Sequence, residues 1–583
     1  MPTLLVPIRR CGLTLFAGSL AAALLAAALV PDAGHAATAD EAEKTCRERY
    51  HSVDRPTVGP GIKTMLQHKN RPTVGPGIKT MLQHKRSTPA SKVKRAMSSA
   101  SLLRPKPDAG TNRDAYPEAD PNPVKVTAET PVSTFGADID RASYALVRRH
   151  LLERHVLPPA DAVRTEEIIN AFRYSYEAPK DMTGRFKPSI AIFAAPWAPT
   201  KQLLRIGIKA AQPAPGKRPP ASLVFLIDVS GSMSSQDKLP LAKTAVCMLL
   251  HQLNSRDRVA IVVYAGAAGT VLEPTPASER EIVLAALDKL KAGGSTAGGE
   301  GIRLAYALAE KSFRKDGVNR VILASDGDFN VGISDPRKLR DFVARKRETG
   351  VFLTVLGFGL GNYRDTMMQT LAQTGNGMAA YIDGIKEARR VLVDDFLSSL
   401  VTVARDVKFQ IEFNPRRVAE YRLIGYETRL LDRTDFNNDR VDSGDIGAGH
   451  TVTALYELTM VGGDTLADPL RYAEKTSKGA KSAEIAFLRI RFKAQGDDRS
   501  KLIERPVTNA DVIADATDVP TDALFAAAAA WFGEALRNSP HVPVNWPDIR
   551  RFANAVVGDG DVDQRQEFLR LVSAAEEIAA LTE

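Results

Sequence analysis

Through the middle of the chain, short unbroken apolar runs alternate with stretches whose apolar residues recur at helical spacing. Leu223-Val224-Phe225-Leu226-Ile227 and Val321-Ile322-Leu323-Ala324 show no polar alternation. Such runs read as strands covered on both faces. Around them the pattern predicts helices over 238–253, 279–290, 301–313, 336–348, 363–373 and 386–403. It predicts further strands over 258–264, 351–358 and 379–382, with a short one near Thr270. Alternation of this kind specifies an α/β domain over 221–405, with a doubly wound, mostly parallel sheet.

The flanks obey a different period. Residues 189–193 and 203–209 on one side, and 407–413, 452–460 and 486–493 on the other, alternate apolar with polar positions. These are half-buried antiparallel strands. Helices are expected at 143–152, with Asp140 as cap, at 164–172, and in the C-terminal part at 521–536 and 564–581. If strands before and after the α/β domain pair, that domain is inserted between flanking β-rich segments that close into a sandwich.

Both central runs end in carboxylates. Asp228, Ser230 and Ser232 follow the first and Asp326 follows the second, while the glycine-rich stretch 293–299 carries Thr296. Ligands of open α/β sheets gather at the carboxyl ends of the strands. Hydroxyl and carboxylate oxygens collected there are hard donors, suited to Mg²⁺ or Mn²⁺ rather than zinc or copper.

Asp228, Ser230, Ser232, Thr296 and Asp326 together resemble the metal-ion-dependent adhesion site of the von Willebrand factor type A domain. Further stretches are similar to a bacterial YfbK-like subfamily of that family: Val132-Ser133-Thr134-Phe135, Leu204 to Lys209, Arg258 to Gly266, Asp326 to Gly332, Leu356-Gly357-Phe358-Gly359 and Arg422 to Glu427. The resemblance runs from about Pro131 to Ala575. It implies that Ser230 and Ser232 touch the ion directly and that Asp228 orients the shell. Thr296 and Asp326 would alternate between direct and water-mediated contact. It implies too a protein partner whose Asp or Glu carboxylate completes the coordination, and a last helix of the domain that moves on binding.

Composition changes the picture at the N-terminus. Arg9 and Arg10 precede an apolar run from Cys11 to Val30, with small-residue cleavage sites at 34–36 or 37–39, so residues 1–39 read as an export signal. An uncleaved membrane anchor is the alternative. The formal net charge of +9 resides between Glu41 and Tyr116, where 16 Lys and Arg face 6 Asp and Glu. A perfect repeat, 55–69 and 71–85, lies in this basic stretch. Its Pro and Gly content predicts a disordered linker over 40–130, read as a solvated tether, with weak attraction to anionic envelope surfaces as the alternative. No folded basic face or nucleic-acid motif accompanies the charge, which argues against nucleic acid. The remaining segments are an accessory region at 131–220 and a C-terminal domain at 406–583.

Signal removal leaves Cys46 and Cys247. Cys247 lies in an apolar helical stretch and reads as a small core residue, so no disulfide is expected to stabilise the fold. The expectation is thus an exported, periplasmic or extracellular protein that binds other proteins through Mg²⁺ or Mn²⁺. The alternatives are an envelope scaffold with a stabilising metal and, less favoured, a metal-dependent hydrolase. No phosphate loop, H-E-x-x-H or G-x-S-x-G accompanies the site, so no enzyme is expected. Asp435 to Asp439 begins like a calcium loop but has Arg440 at the turn glycine, and reads as an acidic loop.

Overall fold

The computed structural model describes residues 38–50, 116 and 120–582, apart from 181–183, 215–216, 266–267, 294–299, 328–334, 360–363, 396–397, 399, 442, 469–482, 495–496, 498 and 559. Residues 1–37 of the expected export signal, with the cleavage site at 34–36, and both copies of the repeat lie outside the described residues, whereas positions 38 and 39 of the alternative site are described at the start of a helix.

The central domain follows the expected order closely. Its strands are β5 (Ala221–Asp228), β6 (Arg258–Tyr264), β7 (Ala268–Pro276), β8 (Val318–Ser325), β9 (Phe352–Phe358) and β10 (Ala379–Ile382). They form one sheet in the order β10-β9-β8-β5-β6-β7, parallel except for the antiparallel β6–β7 pair. Every residue of β5 and β8 is buried, as the unbroken apolar runs require. Helices α4 (Leu239–Leu250) and α5 (Arg280–Asp288) cover one face with α9 (Ile385–Arg389). Helices α6 (Gly301–Lys311), α7 (Pro336–Glu348) and α8 (Asp365–Thr374) cover the other.

The flanking strands do pair across the insertion. Before the domain come β1 (Lys125–Val126), β2 (Val132–Gly136), β3 (Phe186–Ala195) and β4 (Ala198–Ala210). After it come β11 (Thr402–Phe413), β12 (Val418–Ile424), β13 (Gly444–Gly447), β14 (Thr451–Met460), β15 (Glu484–Ala494) and β16 (Ser500–Thr508). One sheet runs β1-β12-β14-β4-β3; in the other β11 holds β13, β15 and β2, and β16 extends β15. The register Ile206↔Ala454 and Phe135↔Phe409 joins residues separated by the entire α/β domain. Phe135 stacks on Phe409 with centroids 5.1 Å apart, and Phe413, Tyr421 and Tyr456 continue this aromatic layer between the sheets. Helices α2 (Ala142–Leu152), α3 (Thr165–Asn170), Thr521–Leu536, Trp546–Ala555 and Val562–Thr582 complete the fold. Phe525, Phe532 and Phe568 pack there around Phe172, beside Leu203 and Leu455 of the first sheet.

Four expectations need correction. The segment expected to be disordered linker from residue 40 onwards begins instead with helix α1 (Ala39–Tyr50). Its start is a reciprocal cap: Thr38 Oγ1 accepts from Glu41 N, and Glu41 Oε2 accepts from Thr38 N. Asp40 in the first turn and Arg47 and Arg49 in the last complement the helix dipole. Second, Cys247 is no isolated core thiol, because it forms a disulfide with Cys46 that fixes α1 on α4. Third, the single helix expected over 386–403 is short. After α9 the backbone widens into one π turn over Arg390–Asp394, and residue 402 is already in β11. The sandwich claims that segment because its β-branched and aromatic residues fill the sheet core. Fourth, Asp140 does not cap α2; it accepts from Ala379 N and pairs with Arg429.

Candidate metal centre

The order of the central sheet creates the crevice. From β5 the chain first builds outward through β6 and β7, then returns to the opposite side of β5 with β8. Adjacent strands β5 and β8 therefore send their following loops apart, and their carboxyl ends frame the topological switch point. Ile227 pairs in register with Ala324. The strand ends thus carry Asp228 beside Ser325, with Asp326 one residue further.

Asp228 is fully buried, and Ser230 and Asp326 are each 1 % exposed. Asp228 Oδ1 accepts from Ser230 N at 2.8 Å, which turns the chain sharply after β5. That turn brings Ser230 Oγ and Ser232 Oγ to 2.9 Å of each other. Ser232 stands at the exposed rim, while Met233 beneath it anchors the short 3₁₀ turn Gly231–Ser234 in the core. Ser325 Oγ lies 3.4 Å from Asp228 Oδ2 and also accepts from Gly327 N. The described start of the glycine-rich loop is tied to the same place, since Gly293 N donates to Val229 O at 2.9 Å. Thr296 itself lies outside the described residues. Four of the five expected positions are therefore described, and they share one crevice.

The electrostatics match a cation site. Burial pushes the Asp228 carboxyl up to about 6, against the lowering effect of the Ser230 hydrogen bonds, and nearby Asp326 raises it further. A buried acid with its charge disfavoured gains when a cation is supplied. The donor set, two carboxylates and two hydroxyls, fits a hard divalent ion such as Mg²⁺ or Mn²⁺.

Sequence reasoning missed a cation in the same crevice. Lys238, the residue before α4, places Nζ 2.8 Å from Asp326 Oδ2 and is 9 % exposed. Its neighbour Asp237 pairs at 2.6 Å with Arg149 of α2, and Arg149 also donates to Tyr381 Oη. The accessory region therefore reaches the rim of the site. The only hint in sequence was a lone Lys-Leu at a helix start, where an acid is the usual choice. Elsewhere, His150 of α2 is buried with Nδ1 on Leu146 O. The Asp435–Asp439 stretch behaves as an acidic loop: Asp439 accepts from Arg491 and Ser500.

Comparison with known proteins identifies the family of the central and C-terminal domains. Residues 222–391 match the family model described as von Willebrand factor type A domain, and residues 398–578 match that of the uncharacterized protein YfbK, C-terminal. Residues 110–205 match a model described as von Willebrand factor. The Escherichia coli (strain K12) uncharacterized protein YfbK is 42% identical over 484 residues, spanning 81% of this chain and 83% of that protein. Human inter-alpha-trypsin inhibitor heavy chain H4 is 28% identical over 206 residues, covering 33% of this chain and 22% of its own length. Among solved structures, a von Willebrand factor type A protein from Catenulispora acidiphila aligns with 70% of this chain and 90% of its own, at 18% identity and a TM-score of 0.37. The chain carries a type A domain, and its identity to the E. coli protein over most of both lengths means that it belongs to the YfbK family.

Proposed function

We propose that this chain is an exported protein-binding module whose partner contact runs through a divalent ion. Asp228, Ser230, Ser232 and Asp326, with Thr296 from the neighbouring loop, would hold Mg²⁺ or Mn²⁺, and an Asp or Glu carboxylate of the partner would complete its coordination. The observation that carries the reading is the convergence of Asp228, Ser230, Ser232 and Asp326 at the ends of β5 and β8. Type A domains commonly serve metal-dependent protein recognition, which supports the same class.

The chain's own residues explain why such a contact would be strong. Neutral hydroxyls neutralise little of a cation's charge, so an ion held partly by Ser230 and Ser232 stays attractive to an incoming anion. Asp228 orients Ser230 through its backbone hydrogen bond, and Met233 beneath keeps the turn rigid. Ser232, exposed at the rim, is where a partner would approach. Export is supported by the Cys46–Cys247 disulfide, a bond that persists in oxidising compartments. Among the described residues no helix is long and apolar enough to cross a membrane.

The test is calorimetry of Mg²⁺ and Mn²⁺ binding to the full chain, with Ser230→Ala and Asp228→Ala as comparisons. Uptake of one ion by wild type and none by the variants is expected. Capture from envelope extract, lost on chelation and in Ser230→Ala, would extend the result to a partner. A wild-type chain that takes up neither ion defeats the proposal.

A further inference from the structure

Lys238 is buried beside the candidate ligand Asp326, and its position is costly for the helix it starts. It directly precedes α4, whose first N–H groups already present the positive end of the dipole. A cation there gains nothing from the helix. Its stem crosses Gly359, whose φ of +69° and lack of a side chain leave the room: a Cβ at Gly359 would run into Lys238. Tyr381 Oη donates to Gly359 O at 3.0 Å and fixes that strand end in turn. The protein therefore spends a glycine and a buried ammonium to bring a positive charge to Asp326.

We propose that Lys238 sets the charge of the metal centre, weakening its hold on the ion in order to strengthen its hold on an acidic partner. The inference rests on the metal-dependent reading above and deepens it. Asp228 and Asp326 contribute two negative charges and Lys238 returns one. A divalent ion bound to this set leaves an excess of one positive charge, whereas without Lys238 the loaded site would be neutral. Bound through Lys238, Asp326 Oδ2 is also less available as a direct ligand, so the ion depends more on hydroxyls and water. Both effects act in one direction: poorer retention of the cation and stronger attraction for a carboxylate. In a water-poor crevice the coupling of such near charges is large. A residue that merely supports the fold would move both affinities the same way.

The experiment uses the full chain, with Mn²⁺ binding followed by electron paramagnetic resonance. Acetate binding to the Mn²⁺-loaded protein is followed by water-proton relaxation. Lys238→Met should bind Mn²⁺ about tenfold more tightly and acetate about tenfold more weakly, each near ~1.4 kcal/mol. Lys238→Arg, which keeps the charge, should stay close to wild type on both. A folded Lys238→Met variant in which the two affinities are unchanged, or fall together, overturns the inference. So does an Arg variant that behaves like the Met variant. If the Met variant does not fold, a crystal of the Mn²⁺-loaded wild type decides. Lys238 still paired with Asp326 supports the inference, and Lys238 displaced with Asp326 bound directly to Mn²⁺ overturns it. Wild-type protein that binds no Mn²⁺ ends the metal reading itself, whereas Mn²⁺ binding that is lost in Ser230→Ala but indifferent to Lys238 ends only this inference.

Discussion

Cutting the Cys46–Cys247 bond should detach α1 and lower the stability of the whole chain. The bond joins residues separated by 201 positions, and closing a loop of that size removes unfolded-chain entropy worth roughly 5 kcal/mol at 25 °C. The other contacts of α1 are weaker. Arg49 pairs with Asp288 at 2.6 Å, and Arg389 reaches Asp40 and Glu43, but these pairs are partly exposed and contribute about 0.2–1 kcal/mol each. Only Ala42 and Cys46 of the helix are buried. A helix of 12 residues is marginal on its own. Without the crosslink, α1 should therefore spend much of its time undocked while the rest of the fold stays native.

The assay pairs urea unfolding with limited trypsin digestion, on wild type with and without reductant and on Cys46→Ser. Oxidised wild type should be more stable than either comparison by roughly 2–5 kcal/mol. Cleavage at Lys44, Arg47 and Arg49 should become rapid only when the bond is absent. Reduced wild type and Cys46→Ser should match. An unchanged urea midpoint together with continued protection of α1 under reductant would refute the reasoning, because the ion pairs alone would then suffice.

Two other outcomes follow from buried charge. Arg422 and Glu534 pair at 2.8 Å with 1 % and 0 % of their side chains exposed, so Arg422→Met should cost about 3–5 kcal/mol in chemical unfolding. Replacing both partners by apolar residues should cost less than the single change, and a double variant as unstable as the sum of the singles would contradict this. His450 is pushed down to about 4, first by burial and then by Arg141, with Asp395 opposing. Its unfolded form accepts a proton near 6.5, so its contribution is complete above that pH and is lost as pH falls toward 4, at most roughly 3 kcal/mol. His450→Gln should flatten the stability profile across that window, and an unaltered profile would count against the burial argument.

What the sequence disclosed and what it withheld divide along one physical line. A strand buried on both faces writes its limits into the chain, so β6 and β10 fall where the apolar runs put them, and the helical spacing of Leu339 and Val343 together with the Asp335-Pro336 start places α7 as directly. The turn after β5 is equally local: Asp228 and Ser230 are two residues apart and bond each other directly. The pairing of β4 with β14 was inferable from alternation on both sides, though its register was not, because register depends on partners hundreds of residues away. Cys46 and Lys238 were misjudged or overlooked for that reason. Each looks ordinary among its neighbours and acquires meaning only from a distant residue, Cys247 in one case and Asp326 in the other. The T-x-x-E cap at Thr38 was a local signal that did announce α1, but the basic, repeat-bearing stretch behind it masked the cue. The consequence for the metal centre is specific. Under the proposed function, its ligands would be set by short-range turn chemistry at the ends of β5 and β8, whereas its charge would be tuned by Lys238, whose stem needs the space left at Gly359 beyond β9. On that reading, Ser230→Ala would remove ion and partner binding together, whereas a change at position 238 would move the two in opposite directions.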